Sequence, residues 1–552
     1  MTKRRFAVLA VFVWAGCAPH PRFADRAILW REPDDAPVPM PKARPPVGTT
    51  RYWPGAENAI FRPADRFLDA DYGLEASNVN ALDEVPDSSW YVDPRRDPRD
   101  PAAPPRALSA EALTSGPRWE EPPRPPFRIA SDLSGGSSVG FVVEDALGRR
   151  FALKLDPEEH LGLITGADAV ATRLAWASGW RVPADDVLEV TRADLVLLPD
   201  ARMHNQFGQL EPLGPGDLDA LLWHCAHDSQ GHYRAIASRW IDGHILGPFQ
   251  WLGRDVSDGN DRHRHEDRRD LRGFGVFAAW VDDIDVIENN TLDTYVGQAG
   301  RGHVDHYHLD LGGSFGSFSA APAQYWMGDQ SYFQADRIAS SLLTVGLIPY
   351  RWEDSRWQRR RRALVEQYPE FGGYSAEHFD PRAWRPIVDI PAFVRQTRRD
   401  RYWGAKRVAA FSRTELDAVV AAARYRPAAA AYLADTLWRR REIVARDAFT
   451  ETSPLDHFAP VGGQMCFTDL WVRAGLGGDE RTVYRAREEG RDVAVVRGAA
   501  RDGAVCMTLP AGEGYRVLSF AAQRPGERRF GPAVSVHVVV RGARARVVGA
   551  LR

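Results

Sequence analysis

Asp282-Asp283-Ile284-Asp285-Val286-Ile287-Glu288-Asn289-Asn290 places four acids within seven residues. Like charges crowded this way repel one another unless cations lie nearby. The run therefore reads as a candidate metal-handling loop, weighed against a plain solvated acidic loop. It follows a stretch, Glu266 to Val281, whose Leu271, Phe274, Ala278 and Val281 share one face of a helix. Downstream stands His308-Leu309-Asp310-Leu311-Gly312, where a short strand over Tyr307 to Leu311 would deliver an Asp and the glycine lets the chain turn away. Upstream, Gly140 to Glu144 and Arg149 to Leu155 read as two strands around the turn Ala146-Leu147-Gly148. Alternation on the second puts Phe151, Leu153 and Leu155 toward a core, and Ala152 and Lys154 on the opposite face. Before them lies Gly135-Gly136-Ser137-Ser138-Val139-Gly140, a loop able to bring backbone N–H groups close to a phosphate. A helix predicted over Ala167 to Trp176 carries Asp168 near its start.

Taken in order, these motifs resemble those of the protein-kinase-like superfamily. The Gly135–Gly140 loop resembles G-x-G-x-x-G-x-V, with Ser137 at the middle glycine, and Phe151-Ala152-Leu153-Lys154 resembles V-A-I-K. Asp285 and Asn290 have the D-x-x-x-x-N spacing of a catalytic loop, and His308–Gly312 resembles the H-I-D-F-G of lipid-kinase-type enzymes. The chain is most similar to the atypical branch, the HipA-like, phosphatidylinositol-kinase-like and secretory-pathway-kinase-like groups. It is also similar to a family of uncharacterised bacterial kinase-like lipoproteins. No His-Arg precedes Asp285, and no Ala-Pro-Glu follows. The resemblance implies ATP and Mg²⁺ as cofactors. Gly135, Gly136, Ser137, Ser138, Gly140 and Lys154 would hold the nucleotide, Asp168 would stand in for the usual Glu that holds the lysine, Asn290 and Asp310 would bind metal, and Asp285 would orient the acceptor. The alternative implied by the altered loop and by Asp168 is a non-catalytic, pseudokinase-like scaffold or binding protein.

The expected fold class is α+β: a bilobal kinase-like body over 127–450, with an N-lobe over about 127–245 and a helical C-lobe over about 246–450, then a small β-sandwich over 455–552. Helices are predicted over Tyr332–Leu343, Arg407–Ala422 and Ala428–Arg446, and the clearest late strands over Val534–Val540 and Ala545–Val548. Residues 18–126, rich in Pro, Arg and Asp, read as a linker with irregular packed pieces, pinned by Trp53, Trp90 and Tyr91. Residues 1–17 combine Lys3, Arg4 and Arg5 with a short apolar run and Ala15-Gly16-Cys17, which resembles a bacterial lipoprotein signal lipidated at Cys17. Ala18 then favours an outer-membrane anchor facing the periplasm. A net charge of -3 argues against nucleic acid as a partner and leaves a nucleotide, an unknown acceptor and a membrane reached through the lipid. Cys466 and Cys506 form either a disulfide, if the compartment is oxidising, or two buried thiols.

Overall fold

The computed structural model describes residues 22–44, 73–118, 121–133, 138–205, 207–319, 321–332, 334–345, 347 and 349–552. Residues 1–17 with Cys17, Trp53, and the loop residues Gly135, Gly136 and Ser137 lie outside them. Among the described residues, no helix is long and apolar enough to cross a membrane.

After a short helix, α1 (Ala110–Ser115), strands β1 (Phe127–Asp132), β2 (Gly140–Glu144) and β3 (Arg150–Leu155) run antiparallel in succession. Helix α2 (Leu163–Ser178) follows, then β4 (Asp185–Val190), β5 (Leu195–His204), β6 (Leu210–Pro212), α3 (Pro215–Leu222) and β7 (Tyr233–Arg239). The strands build one seven-stranded sheet in the order β4-β7-β3-β2-β1-β5-β6, with β1 and β5 parallel. Phe151, Leu153 and Leu155 join Phe141, Val143 and Ile129 in the core on one face, as the alternation predicts. Helix α2 is buried along nearly its whole length and ends at Gly179, whose φ of 109° only glycine adopts readily. It begins earlier than Ala167, because Asp156 accepts the N–H groups of Gly162, Ile164 and Thr165 at the start of the first turn.

The next sheet holds β8 (His244–Gly247), β9 (Thr291–Gln298) and β10 (Arg301–His308), in the order β10-β9-β8. Between β8 and β9 lies α4 (Arg269–Val281), every residue of which is buried. A two-stranded hairpin, β11 (Ser317–Phe318) and β12 (Ala321–Pro322), precedes the helices α5 (Ala335–Thr344), α6 (Ser355–Gln367), α7 (Pro391–Val394), α8 (Arg398–Ala409), α9 (Arg413–Ala421) and α10 (Pro427–Glu451). The single helix expected over Arg407–Ala422 is two helices. The Ser412 hydroxyl accepts the Glu415 N–H and the Glu415 carboxylate accepts the Ser412 N–H, and this reciprocal cap restarts the chain.

The C-terminal strands are β13 (Leu455–Val461), β14 (Gln464–Asp469), β15 (Val483–Glu488), β16 (Arg491–Arg497), β17 (Ala504–Thr508), β18 (Gly514–Gln523), β19 (Val534–Arg541) and β20 (Arg544–Leu551), with α11 (Leu470–Arg473) after β14. They form sheets β13-β14-β17 and β16-β15-β18-β19-β20. Phe467 and Met507 of the first share a core with Tyr484, Phe520 and Val536 of the second. Cys466 and Cys506 sit directly opposite on β14 and β17 and are joined by a disulfide.

Apart from α1, residues 73–118 are irregular in backbone, yet several of their side chains belong to the interior. Trp90 stacks on His306 at 3.6 Å, and the Tyr91 hydroxyl donates to the Ser178 carbonyl at 2.9 Å. Buried ion pairs tie the same segment to late helices. Arg95 meets Glu415 at 2.7 Å, Arg407 meets Asp93, and Arg269 lies between Asp83 and Asp400.

Candidate nucleotide and metal site

Lys154 stands on the β3 face opposite the core. Gly140 is its cross-strand partner, so the end of the Ser138–Gly140 loop lies beside its stem. Gly140 keeps this approach close: a Cβ would come within 2.7 Å of Leu133 Cδ1 and 3.1 Å of the Leu153 carbonyl, so a neighbour would have to shift. Lys154 Nζ contacts Asp310 Oδ1 at 2.6 Å. Burial lowers the lysine pKa, but the charges of Asp310, Asp168 and Asp185 more than offset that and raise it, so the ammonium is held charged.

Three elements deliver Asp285, Asn290 and Asp310. Helix α4 ends at Asp282, in the left-handed region at φ 61°, with its carboxylate accepting Trp384 Nε1–H at 2.8 Å. This sharp exit from a buried helix turns residues 283–290 back across the site. The β9–β10 hairpin then pairs Thr291 with His308, so the residues just outside it, Asn290 and Leu309, are neighbours, and the Leu309 N–H donates to the Asn290 carbonyl at 2.9 Å. Asn290 Nδ2 donates to the Asp285 carbonyl at 2.8 Å and lies 3.4 Å from its Oδ2. Asp310 itself has φ 52°, a left-handed backbone uncommon for a residue with a Cβ. Gly313 closes the loop: a Cβ there would lie 2.9 Å from the Asp285 Cβ.

Helix α2 supplies Asp168 from below. Its carboxylate accepts the Thr172 hydroxyl at 3.2 Å and the Leu311 N–H at 3.1 Å. Lys154 feels the Asp168 charge, but its direct ion pair is with Asp310, not with Asp168. Burial, then the Asp185 charge, pushes the Asp168 pKa up to about 8. Burial and the Asp310 charge push Asp285 up to about 7. Asp283 is raised well above the ordinary carboxylate range by burial and then by Asp285, and its Oδ1 has no hydrogen-bond partner among the described residues.

The structure thus brings Lys154, Asp168, Asp285, Asn290 and Asp310 to one place, with Gly140 beside Lys154 and Ser138 just before it in the loop. Two further carboxylates belong to the group. Asp283 stands in the acidic run but falls outside the D-x-x-x-x-N spacing. Asp185 has no motif; its position follows from strand order, through Ser238 on β7 to Ala152 on β3. A clustering of buried acids with raised pKa values calls for a cation. Among the described residues, no three His, Cys, Asp or Glu side chains form a ready-made metal cage. Carboxylate oxygens supplemented by an amide fit an ion such as Mg²⁺, which takes few protein ligands and keeps water or phosphate in its other positions. A separate cavity of about 880 Å³ has Asp282, Trp384 and Arg361 in its wall, and it includes neither Lys154 nor Asp310.

No family model matches the chain, and no curated protein matches it. Solved structures with some likeness include the Golgi casein kinase with Mn/ADP bound, at 9% identity and TM-score 0.29 over 61% of this chain and 74% of that one. A second structure of the Golgi casein kinase has 10% identity and TM-score 0.28 over 62% and 76%. Hydra Fam20 with sugar has 13% identity and TM-score 0.21 over 47% and 94%. Scores of this size establish neither family nor function, and the reading below rests on the side chains.

Proposed function

We propose that this chain is a Mg-ATP-dependent phosphotransferase with a two-lobed kinase-like body and a C-terminal β-sandwich, acting on an unidentified acceptor. The observation that carries the reading is the Lys154–Asp310 contact beside the Asp285–Asn290 hydrogen bond, four residues of three separate motifs meeting in one site. Asn290 and Asp310 would hold the metal, and Lys154 the phosphates. A bound Mg²⁺ neutralises charge on the transferred phosphoryl group. Lys154 has a fixed positive charge and lies at the loop end, where it can position an anionic ligand. Asp285 is held by Asn290 and oriented by the Gly313 turn, and its raised pKa suits a group that accepts or steers a hydroxyl proton near neutrality. The Cys466–Cys506 disulfide supports an oxidising compartment, and with the Cys17 signal it supports an outer-membrane lipoprotein facing the periplasm.

Thermal unfolding with and without millimolar Mg-ATP tests this. A ligand at one hundred times its Kd stabilises by about 2.7 kcal/mol, so Tm should rise. The rise should vanish in Asp310→Ala. No shift in the wild type would overturn the reading.

One observation favours a second reading, a scaffold that binds no nucleotide. Asp168 is already engaged by Thr172 and Leu311, and Lys154 is already neutralised by Asp310, so these two residues have partners without a nucleotide. A scaffold predicts that Lys154→Met changes stability equally with and without Mg-ATP.

A further inference from the structure

Helix α5 is amphipathic in the reverse of the usual sense. A surface helix normally turns its apolar stripe inward and its polar face to water. Here Ile338, Leu342 and Val345, one turn apart in succession, are 50%, 75% and 85% exposed, and Leu343 and Leu347 are 84% and 83% exposed. The polar side holds the helix to the body. Ser341 Oγ hydrogen-bonds the Tyr350 hydroxyl, the Arg337 guanidinium lies over the Tyr350 ring at 5.1 Å, and Arg337 donates to the Asp329 carbonyl at 3.1 Å. Tyr350 stacks on Trp352 at 5.6 Å, and the Trp352 carbonyl accepts Gln358 of α6 at 2.8 Å. That chain of contacts joins α5 to α6, whose sequence holds five arginines against one glutamate. Arg356, Arg359 and Arg362 are exposed on it.

Contiguous exposed apolar side chains on a soluble body mark a surface that something covers. An apolar helix face beside a run of exposed arginines has the composition of an interfacial membrane element: the aliphatic side chains enter the acyl boundary and the guanidinium groups meet anionic headgroups. We propose that α5, Leu347 beyond it and the arginine face of α6 form a surface that seats on an anionic phospholipid bilayer. This goes beyond the phosphotransferase reading and needs no lipid at Cys17. Tyr332, half exposed just before α5, ties the surface to the site through Ile387: the Tyr332 N–H donates to the Ile387 carbonyl at 2.8 Å, and the Ile387 N–H donates at 3.0 Å to the carbonyl of Ile284, the neighbour of Asp285. Docking would bring the Asp285 site to the membrane plane.

Amide hydrogen exchange on the full chain tests this, without nucleotide, in the presence of phosphatidylcholine vesicles with or without phosphatidylglycerol. Reading exchange by segment separates this surface from binding through the leader. We expect amides over 335–347 to be protected about tenfold by phosphatidylglycerol vesicles only, and the protection to fall with salt. It should disappear in Leu342→Asp/Leu343→Asp and weaken in Arg356→Glu/Arg359→Glu, with Tm unchanged in both because these side chains face solvent. Unchanged exchange over 335–347 with vesicles present would overturn the proposal. So would protection that needs no vesicles and grows with protein concentration, which would mean a second copy covers the face. Neither result bears on nucleotide binding.

Discussion

The proposed role of Asp285 would have one carboxylate orient the acceptor while burial and Asp310 raise its pKa to about 7. Asp285→Asn should keep the Mg-ATP thermal shift and lose roughly 10²–10⁴ of turnover, the usual worth of a positioned proton acceptor. Loss of the shift as well would mean that Asp285 holds ligand instead of orienting it. A second residue-scale effect lies far away. Burial, opposed by the Asp456 charge, lowers the His457 pKa to about 3 from an ordinary value of 6.5. Between those values the unfolded chain binds more protons, so stability falls as pH drops below about 6.5, by about 1.4 kcal/mol per pH unit for this group. His308, also lowered to about 3 by burial, adds to the same acid limb. His457→Asn keeps a residue that tolerates the left-handed backbone at φ 52° and should make the limb shallower by about that amount. Urea midpoints measured from pH 4 to 8 check it; an identical slope would refute the assignment. Lys154, Asp285, Asn290 and Asp310 were legible in the sequence because each stands at a fixed offset from a recognisable neighbour. Asp185 was not, because only strand order brings it to the site.

Among the elements, α2 sets the height of Asp168, and Gly166 sets how closely α2 approaches the helical body. A Cβ at Gly166 would fall 2.2 Å from the Tyr425 hydroxyl, itself buried. Gly166→Ala should therefore destabilise by about 1–3 kcal/mol, the ordinary cost of overpacking, although alanine is the better helix former. A Tm equal to wild type would show that Tyr425 moves freely. Strand positions read well because burial alternates cleanly, as over Phe151 to Leu155. Helix boundaries read less well. Apolar spacing continues across residues 407–422, but the Ser412–Glu415 cap satisfies the N–H groups of a new helix start, and local hydrogen bonding overrides the period. Residues 73–118 were legible as irregular pieces pinned by Trp90 and Tyr91; helix α1 and the buried charges with their late partners were not, since proline-rich composition says nothing of long-range partners.

Across the whole molecule, the disulfide and the buried ion pairs hold distant parts of the chain in place. Cys466 and Cys506 close a loop of 40 residues, which in the chain-entropy account contributes about 4 kcal/mol. Reduction should lower the unfolding temperature of the C-terminal sheets and leave any Mg-ATP shift in place; differential scanning calorimetry with and without reductant would register both. The ion pairs have a further consequence. Asp83 meets Arg399 across 316 residues, and Arg95 meets Glu415 across 320. In the order of synthesis, the segment bearing Trp90 and Tyr91 emerges long before α8 and α9 exist to receive it. Contacts of such separation form late and slowly. Until then Asp83, Asp93 and Arg95 lack the partners that α8 and α9 supply, a state prone to misassembly. The same interlock makes the early segment a register of completion: a chain cut short before residue 398 leaves Asp93 and Arg95 without Arg407 and Glu415, two charges with nothing to meet them.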